Sequence, residues 1–198
     1  MPGKDDKISL GSKLRTRIVL SKEFAVKKLV IQIPAYNEAE NIAGTLADIP
    51  RRYEGIDEVL VVVIDDGSTD GTASAALENG ADAVIRHRRN RGLSRAFISG
   101  IQFALALGAD IIVNTDADNQ YVGGEIQRLI QPILDDSADL VIGDRNPAQN
   151  AHFSPLKRRM EAFGSWIARK VSGTNVPDTV SGFRAYSRYA ALPLQVFN

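Results

Sequence analysis

The residues best suited to chemistry in this sequence are two aspartates that follow an apolar run. Asp116 and Asp118 come just after Ile111–Val113, and Asn114 and Gln120 lie on either side of them. Alternation of side chains along an extended chain predicts that both carboxylates lie on the same side. Carboxylate and amide oxygens suit a hard cation such as Mg²⁺ or Mn²⁺, which keeps open positions for diphosphate oxygens. The alternative is a solvated acidic turn without a ligand.

An earlier polar cluster follows the apolar run Leu29–Ile33. Its Tyr36 could stack on a flat base, and Glu38 could accept hydrogen bonds from a base or a sugar. The alternative is structural: Pro34 ends a strand because it withholds a donor from the sheet, and Asn37 caps the next helix. The cluster by itself leaves both interpretations open.

A third cluster joins two adjacent carboxylates, Asp65 and Asp66, to a glycine turn after the β-branched run Val59–Ile64. Such a turn could hold a ribose, a base edge or a metal. The alternative is that its aspartates, Asp70 among them, only form the turn and cap a helix. No Gly-x-Gly-x-x-Gly or P-loop motif follows a predicted strand, so the corresponding dinucleotide and nucleoside-triphosphate sites are excluded.

Strands and helices alternate from Leu29 onwards, and this order determines where the three clusters lie. The predicted strands are Leu29–Ile33, Val59–Ile64, Ala83–Ile85, Ile111–Val113 and Asp139–Ile142. The predicted helices are Ala39–Ile49, Thr72–Asn79, Leu93–Leu107 and Ile126–Leu134. This alternation predicts an α/β fold, with a mostly parallel, Rossmann-like central sheet and helices on both faces. Ligands in such sheets bind beyond the carboxyl ends of the strands, where all three clusters fall.

Composition restricts the class of protein. The 198 residues suit one domain with a substantial core, which we place at residues 28–198 after an extension at residues 1–27. The 24 basic residues balance the 24 acidic ones, and we expect no nucleic-acid partner. The absence of cysteine excludes disulfides and thiolate zinc sites. Met1–Gly11 lacks the apolar core of a signal peptide, and no apolar run approaches the roughly 18 residues of a spanning helix, so we expect a cytoplasmic protein, at most peripheral on a membrane.

The three clusters, in order with the later motifs Gly143–Arg145 and Ser181–Tyr186, resemble the family-2 glycosyltransferases, which have the GT-A fold. The dolichol- and polyprenyl-phosphate sugar synthases are especially similar, from Leu29 to about Arg188. The resemblance implies an inverting transfer of a sugar from a GDP- or UDP-sugar to polyprenyl or dolichyl phosphate. A polysaccharide or other hydroxyl acceptor, or a non-catalytic nucleotide-sugar-binding module, are the alternatives. Relatives usually continue further, so we expect more protein beyond Asn198.

The resemblance also implies roles for individual residues. Nucleotide-sugar binding is implied for Pro34, Tyr36, Glu38, Ile64, Asp66, Gly92, Asp116, Ala117, Asp118 and Arg145. Asp118 and Gln120 would hold the metal ion, Mg²⁺ or Mn²⁺. Arg184 would approach the leaving diphosphate and is grouped as catalytic with Asp116 and Asp118. Asp178 is the candidate base if the acceptor is a hydroxyl.

Basic residues are the candidates for acceptor binding. We assign this role to Arg145, Arg158 and Arg159. Lys157–Arg159 opens a segment with an apolar helical stripe, which either faces the core or lies on an anionic membrane surface. The arginine-rich stretch Arg86–Arg91 is either solvated or steers a diphosphate.

The two histidines and the residues around Asp116 give little support to other classes of protein. His87 and His152 lack metal-ligand spacing, and we predict that both are exposed polar residues. A phosphatase of the haloacid dehalogenase type also places Asp-x-Asp after an apolar strand. That family has Thr or Val where Gln120 stands, and its motif comes earlier in the chain. Within the resemblance, Ser94 and Arg95 replace the Lys or Gly of many relatives.

Overall fold

One sheet of six strands organises the computed structural model, which describes residues 26–119, 123–143 and 182–196. The strands are β1 (Lys28–Ala35), β2 (Glu58–Asp65), β3 (Ala83–Arg86), β4 (Ile111–Asn114), β5 (Leu140–Ile142) and β6 (Arg184–Ser187). Their order across the sheet is β3-β2-β1-β4-β6-β5. Strands β1 to β4 pair in parallel, whereas β6 runs antiparallel to both of its neighbours. The predicted α/β fold with a mostly parallel sheet is confirmed.

The helices cover both faces of this sheet. They are α1 (Ile42–Asp48), α2 (Thr72–Glu78), α3 (Leu93–Ala106), α4 (Ile126–Leu134) and α5 (Arg188–Ala191), with short 3₁₀ turns at Gly123–Glu125 and Leu192–Val196. Alternation along β1 explains why both faces are apolar: Leu29 and Ile31 pack in one core with α1, α2 and α4, and Val30 packs in the other with α3 and α5. Strands buried on both faces therefore read as continuous apolar runs.

Four elements differ from the sequence prediction. Strand β1 continues through Pro34 to Ala35, with Pro34 opposite Ile64, so the prediction that Pro34 ends the strand is wrong; the proline removes one donor, and its neighbours keep the parallel register. Helix α5 was not predicted. Helix α1 begins at Ile42, three residues later than predicted, because Asn37 has a left-handed backbone (φ 55°) instead of capping a helix. Strand β6 was not predicted, because its four residues Arg184–Ser187 contain no continuous apolar run of the kind that marks the other strands.

The topology brings separate motifs to one edge of the sheet. The carboxyl ends of β1, β2 and β4 meet there, since Ala35 pairs with Asp65 and Gln32 pairs with Asn114. The antiparallel strand β6 begins at the same edge, with Arg184 opposite Asn114. None of the helices in the described residues is long and apolar enough to cross a membrane.

Candidate functional site

The cluster that contains Tyr36 and Glu38 and the turn that follows Asp65 and Asp66 form a single hydrogen-bonded unit at this edge. The amide of Asn37 donates to Ser68 Oγ at 2.9 Å, and its side-chain Oδ1 accepts from the amide of Thr69 at 3.0 Å. The amide of Glu38 donates to Thr72 Oγ1 at 2.9 Å. These contacts explain the left-handed backbone of Asn37, because that conformation turns its amide and side chain towards the second loop. The loops therefore hold each other in place.

Asp70 reinforces this unit, as well as the start of the next helix. Its Oδ1 accepts from the amide and the hydroxyl of Thr72, at 3.0 and 2.5 Å, and its Oδ2 accepts from the amide of Ala39 at 3.1 Å. The hydrogen bond from the Thr72 hydroxyl, followed by that from Ala39, lowers the pKa of the Asp70 carboxyl. Asp70 thus acts as a structural brace, as the turn-forming interpretation predicts.

The buried carboxylate of Asp66 is held by three hydrogen bonds. It is 3% exposed, and its oxygens accept from His87 Nδ1 at 2.6 Å, the amide of Arg91 at 2.9 Å and the amide of Gly92 at 2.7 Å. Burial alone raises the pKa of Asp66, but the hydrogen bonds from His87, Arg91 and Gly92 outweigh burial, so the pKa lies below its ordinary value.

The prediction that His87 is an exposed polar residue is wrong. Its side chain is buried between Asp66 and Ser99, with Nε2 3.0 Å from Ser99 Oγ. The prediction failed because the partners of His87 lie far away in sequence, on another strand end and on α3. The other histidine, His152, lies outside the described residues.

The Asp116-Ala117-Asp118 segment lies in a turn. Strand β4 ends at Asn114, so the strand alternation that we used to place the two carboxylates does not reach them. The turn is instead held by α1, because Thr45 Oγ1 donates to the carbonyl of Ala117 at 2.8 Å. Asp116 is half-buried and Asp118 is exposed.

A second contact with α1 holds the end of this turn. Asn119 Nδ2 donates to Asp48 Oδ2 at 2.8 Å, and the backbone of Asn119 is left-handed (φ 55°). Sequence reasoning missed both Thr45 and Asp48, because nothing in the short helix α1 marks either residue as the partner of a distant turn.

A chain of buried amides links the turn to strand β6. Gln32 Nε2 donates to Asn114 Oδ1 at 2.9 Å, and Asn114 Nδ2 donates to the carbonyl of Gly182 at 2.7 Å. The carboxylate of Asp116 lies directly against Gly182, since a Cβ added to that glycine would lie 2.5 Å from Asp116 Oδ1. A buried amide must be hydrogen-bonded, so Gln32 and Asn114 fix the approach of Gly182 to the turn.

These loops surround a cavity of about 330 Å³, which we call the edge pocket. Seven of the predicted nucleotide-sugar-binding residues line it: Pro34, Tyr36, Glu38, Asp66, Asp116, Ala117 and Asp118. Ala35, Asn90, Leu93 and Ala96 complete its lining. Two other cavities, of about 360 and 410 Å³, lie elsewhere and contain neither Asp116 nor Asp118. Of these three cavities, the edge pocket is the one that gathers the predicted site residues, with apolar walls and convergent acidic groups.

The remaining predicted site residues lie apart from the edge pocket or outside the described residues. Ile64 is fully buried in the core, so its side chain does not line the pocket. Gly92 lies beside the pocket and donates its amide to Asp66. Arg184 lies at the same sheet edge. Burial raises the pKa of Tyr186, and the charge and hydrogen bond of Arg184 oppose that rise. Gln120, Arg145, Arg158, Arg159 and Asp178 lie outside the described residues, as does the predicted apolar stripe after Lys157.

The acidic groups of the edge pocket fit a hard divalent cation. Asp116 and Asp118 supply carboxylate oxygens, the donor type that Mg²⁺ and Mn²⁺ prefer. Among the described residues, no group of three or more His, Cys, Asp or Glu could hold a metal ion by itself. A cation at this turn would therefore need further oxygens from a diphosphate, from water or from Gln120, as is usual for Mg²⁺.

Comparison with known proteins identifies the family. The model of glycosyl transferase family 2 matches residues 30–192. The chain belongs to glycosyl transferase family 2. This membership confirms the resemblance on which the sequence analysis relied, and it excludes the phosphatase alternative.

Two curated relatives in family 2 show the extent of the similarity. The chain is 34% identical over 186 residues to the UDP-N-acetylglucosamine–dolichyl-phosphate N-acetylglucosaminyltransferase of Methanococcus voltae, covering 84% of this chain and 72% of that protein. It is 35% identical over 160 residues to the undecaprenyl-phosphate mannosyltransferase of Micrococcus luteus, covering 78% of this chain and 64% of that protein. The chain thus spans about two thirds of the length of these relatives.

A solved structure shares the fold of this family-2 chain. Glucosyl-3-phosphoglycerate synthase from Mycobacterium tuberculosis, in complex with Mn²⁺, UDP-glucose and glycerol 3-phosphate, superposes with a TM-score of 0.63 at 22% identity. The match covers 82% of this chain and 57% of that one. The predicted GT-A fold is confirmed.

Proposed function

We propose that this chain carries the donor site of a glycosyltransferase that uses a GDP- or UDP-sugar and a divalent cation, Mg²⁺ or Mn²⁺. The observation that carries the proposal is the edge pocket, where one exposed aromatic ring and four carboxylates from three separate motifs meet. Its carboxylates belong to Glu38, Asp66, Asp116 and Asp118. The membership in family 2 and the nucleotide sugars in the names of two similar proteins support the same donor class.

Each wall of the edge pocket suits one part of such a donor. Tyr36 and Leu93 are 47% and 68% exposed, and these surfaces suit a flat base. Glu38 and Asp66 supply acceptors for base or ribose groups. Asp116 and Asp118 lie on the wall that we assign to the diphosphate, and a cation held there supplies charge that offsets the charge developing on the leaving group.

The transfer needs positioning more than proton chemistry if the acceptor is a lipid phosphate. Such an acceptor is already anionic, so it attacks the anomeric carbon without a strong base, and attack opposite to the diphosphate inverts the configuration. Arg184, at the amino end of β6, lies opposite Asn114, the last residue of β4 before the turn, and we assign it to the leaving diphosphate. Arg145, Arg158 and Arg159 remain our candidates for the acceptor phosphate.

The acceptor class rests on the relatives. Two of them are named for transfer to dolichyl phosphate and undecaprenyl phosphate. We therefore propose polyprenyl or dolichyl phosphate as the acceptor, and peripheral attachment to the cytoplasmic face of a membrane as the place of the reaction. With a hydroxyl acceptor instead, Asp178 would be the candidate base.

The proposal is tested by product formation with the full-length protein. Vesicles that contain polyprenyl phosphate are incubated with Mn²⁺ and, separately, GDP-mannose, UDP-glucose or UDP-N-acetylglucosamine. We expect one donor to give a glycosylated polyprenyl phosphate by mass spectrometry, with release of the nucleoside diphosphate. Release that depends on a polysaccharide, and not on the lipid, would contradict the lipid acceptor. Binding of the donor without release of the nucleoside diphosphate, whichever acceptor is present, would indicate a binding module and contradict the proposed enzymatic activity.

A further inference from the structure

A buried histidine connects Asp66 of the edge pocket to helix α3. His87 Nδ1 lies 2.6 Å from Asp66 Oδ1, and its Nε2 lies 3.0 Å from Ser99 Oγ. An ionised carboxylate can only accept, so Nδ1 carries the proton in this contact. His87 and Ser99 are not among the residues that line the edge pocket, so the ring contacts the pocket only through Asp66.

Asp66 in turn holds the loop that forms one wall of the edge pocket. Its carboxylate accepts from the amides of Arg91 and Gly92, and the residues on either side, Asn90 and Leu93, line the pocket. Three donors converge on this carboxylate, and only His87 supplies one from a side chain. Without the ring, the carboxylate can rotate away from the two amides.

The backbone of this loop packs closely against the turn that follows Asp66. A Cβ on Gly67 would collide with the backbone of Arg89 and Asn90. The backbone of His87 is anchored separately, since its amide donates to the carbonyl of Asp65 at 2.8 Å beyond the end of β3. A change of the His87 side chain therefore alters the hold on Asp66 while the sheet contact remains.

We propose that His87 is a positioning residue for the donor site: it orients Asp66, and through it the loop Arg88–Gly92, without touching the ligand. The expected effect of His87 on nucleotide binding rests on the proposed function. The expected effect of His87 on the loop rests only on the contacts described above. Ser99 holds the far side of the ring, so it contributes less than His87 itself.

The first test follows the loop in the ligand-free protein. Amide hydrogen exchange of Arg91 and Gly92 is compared between the wild-type chain and His87→Ala. We expect exchange at the Arg91 amide to be at least about tenfold faster in His87→Ala, because it donates to a charged acceptor that becomes mobile. The rise at Gly92 should be smaller, because its amide also donates to Asn90 Oδ1 at 3.0 Å. The control is Ile133→Ala, which removes a side chain of similar burial (7% exposed) from α4 and should leave both amides unchanged. Equal acceleration in both variants would overturn the proposal.

The second test follows the ligand. Calorimetric titration with UDP or GDP and Mn²⁺ should show affinity about 10- to 100-fold lower in His87→Ala, the usual effect of removing an orienting partner. His87→Asn, which keeps a donor near Nδ1, should recover most of the affinity, and Ser99→Ala should lose less than His87→Ala. Unchanged affinity in a folded His87→Ala would overturn the role in binding. Faster loop exchange with no nucleotide binding by the wild type would instead contradict the proposed function and leave the role of His87 in the loop intact.

Discussion

The carboxylate of Asp116 lies against the α carbon of Gly182, so that a Cβ at position 182 would lie 2.5 and 2.7 Å from its two oxygens. Asp116 belongs to the turn after β4, and Gly182 to the segment that leads into β6. Real Cβ atoms do not approach oxygens this closely. Asp116 can therefore occupy its position only because residue 182 is a glycine, which has no side chain. The two motifs therefore form one structural unit, although a long stretch of chain separates them.

Gly182→Ala should damage the Asp116 turn more than the fold. The added methyl must displace the carboxylate, and overpacking of this kind costs about 1–3 kcal/mol of stability. We expect Mn²⁺-dependent binding of a nucleoside diphosphate to weaken by about 10- to 100-fold in calorimetry. Gly124→Ala is the matched control, because nothing lies within 4 Å of a Cβ there. Equal affinities of Gly182→Ala and Gly124→Ala for the nucleoside diphosphate would show that binding does not depend on the contact between Asp116 and Gly182.

The exposed ring of Tyr36 should contribute to base binding. Stacking of a base on an aromatic ring is worth about 1–3 kcal/mol, so Tyr36→Ala should weaken UDP or GDP binding by about 5- to 150-fold. Tyr36→Phe should retain most of the affinity. Tyr189 is the matched control, since it is 77% exposed at the opposite edge of the sheet, and Tyr189→Ala should bind as the wild type does. An equal loss of pyrophosphate binding in Tyr36→Ala would contradict stacking.

Asp66 should make stability depend on pH in the acid range. Its pKa in the folded chain lies below the value of about 3.9 in an unfolded chain. Its stabilising contribution is therefore complete above that pH and is lost as the pH falls through the lower folded-state pKa. Asp66→Asn should lower the free energy of unfolding by about 1–3 kcal/mol at neutral pH, because the amide leaves buried donors unpaired.

Urea unfolding of the wild type and Asp66→Asn at a series of pH values measures this effect. We expect the difference between the two proteins to shrink as the pH falls below about 4. A difference that is the same at neutral and acid pH would show that the Asp66 charge does not stabilise the fold.

The sequence was sufficient to predict five of the six strands, helices α1 to α4 and most of the edge pocket, because these depend on local patterns. Apolar runs such as Val59–Ile64 predict buried strands whatever their partners are, and parallel strands must end at a common edge. Asp66 and Asp118 could therefore be placed together before any contact was known.

The contacts that fix those residues could not be predicted in the same way. His87 and Thr45 act on Asp66 and Ala117 through hydrogen bonds between distant segments, and nothing in their neighbouring sequence marks them. Strand β6 was missed for a related reason, since four residues inserted antiparallel between β4 and β5 are defined by their partners and not by a period.

Arg184 should act on the transition state more than on donor binding. Its position opposite Asn114 at the edge of the sheet suits a cation that meets charge developing on the leaving diphosphate. In the full-length enzyme, Arg184→Ala should lower kcat on the order of 100-fold and change the KM for the donor little. Arg188 is the matched control, because it lies at the other end of β6 and its guanidinium donates to the carbonyl of Ala109. A rise in KM alone for Arg184→Ala would contradict the assignment.

Calorimetric titration of UDP and GDP into the protein, with Mn²⁺ or with EDTA, tests the central claim most directly. If Asp118 holds a cation that binds the diphosphate, one nucleotide should bind with Mn²⁺ and lose at least about tenfold in affinity with EDTA. Asp118→Asn in Mn²⁺ should show a similar loss, whereas Asp135→Asn, which removes an exposed carboxylate that accepts from Gln131, should bind as the wild type does. Affinity that is equal with Mn²⁺ and EDTA, and equal in wild type and Asp118→Asn, would contradict a metal-dependent donor site at this turn.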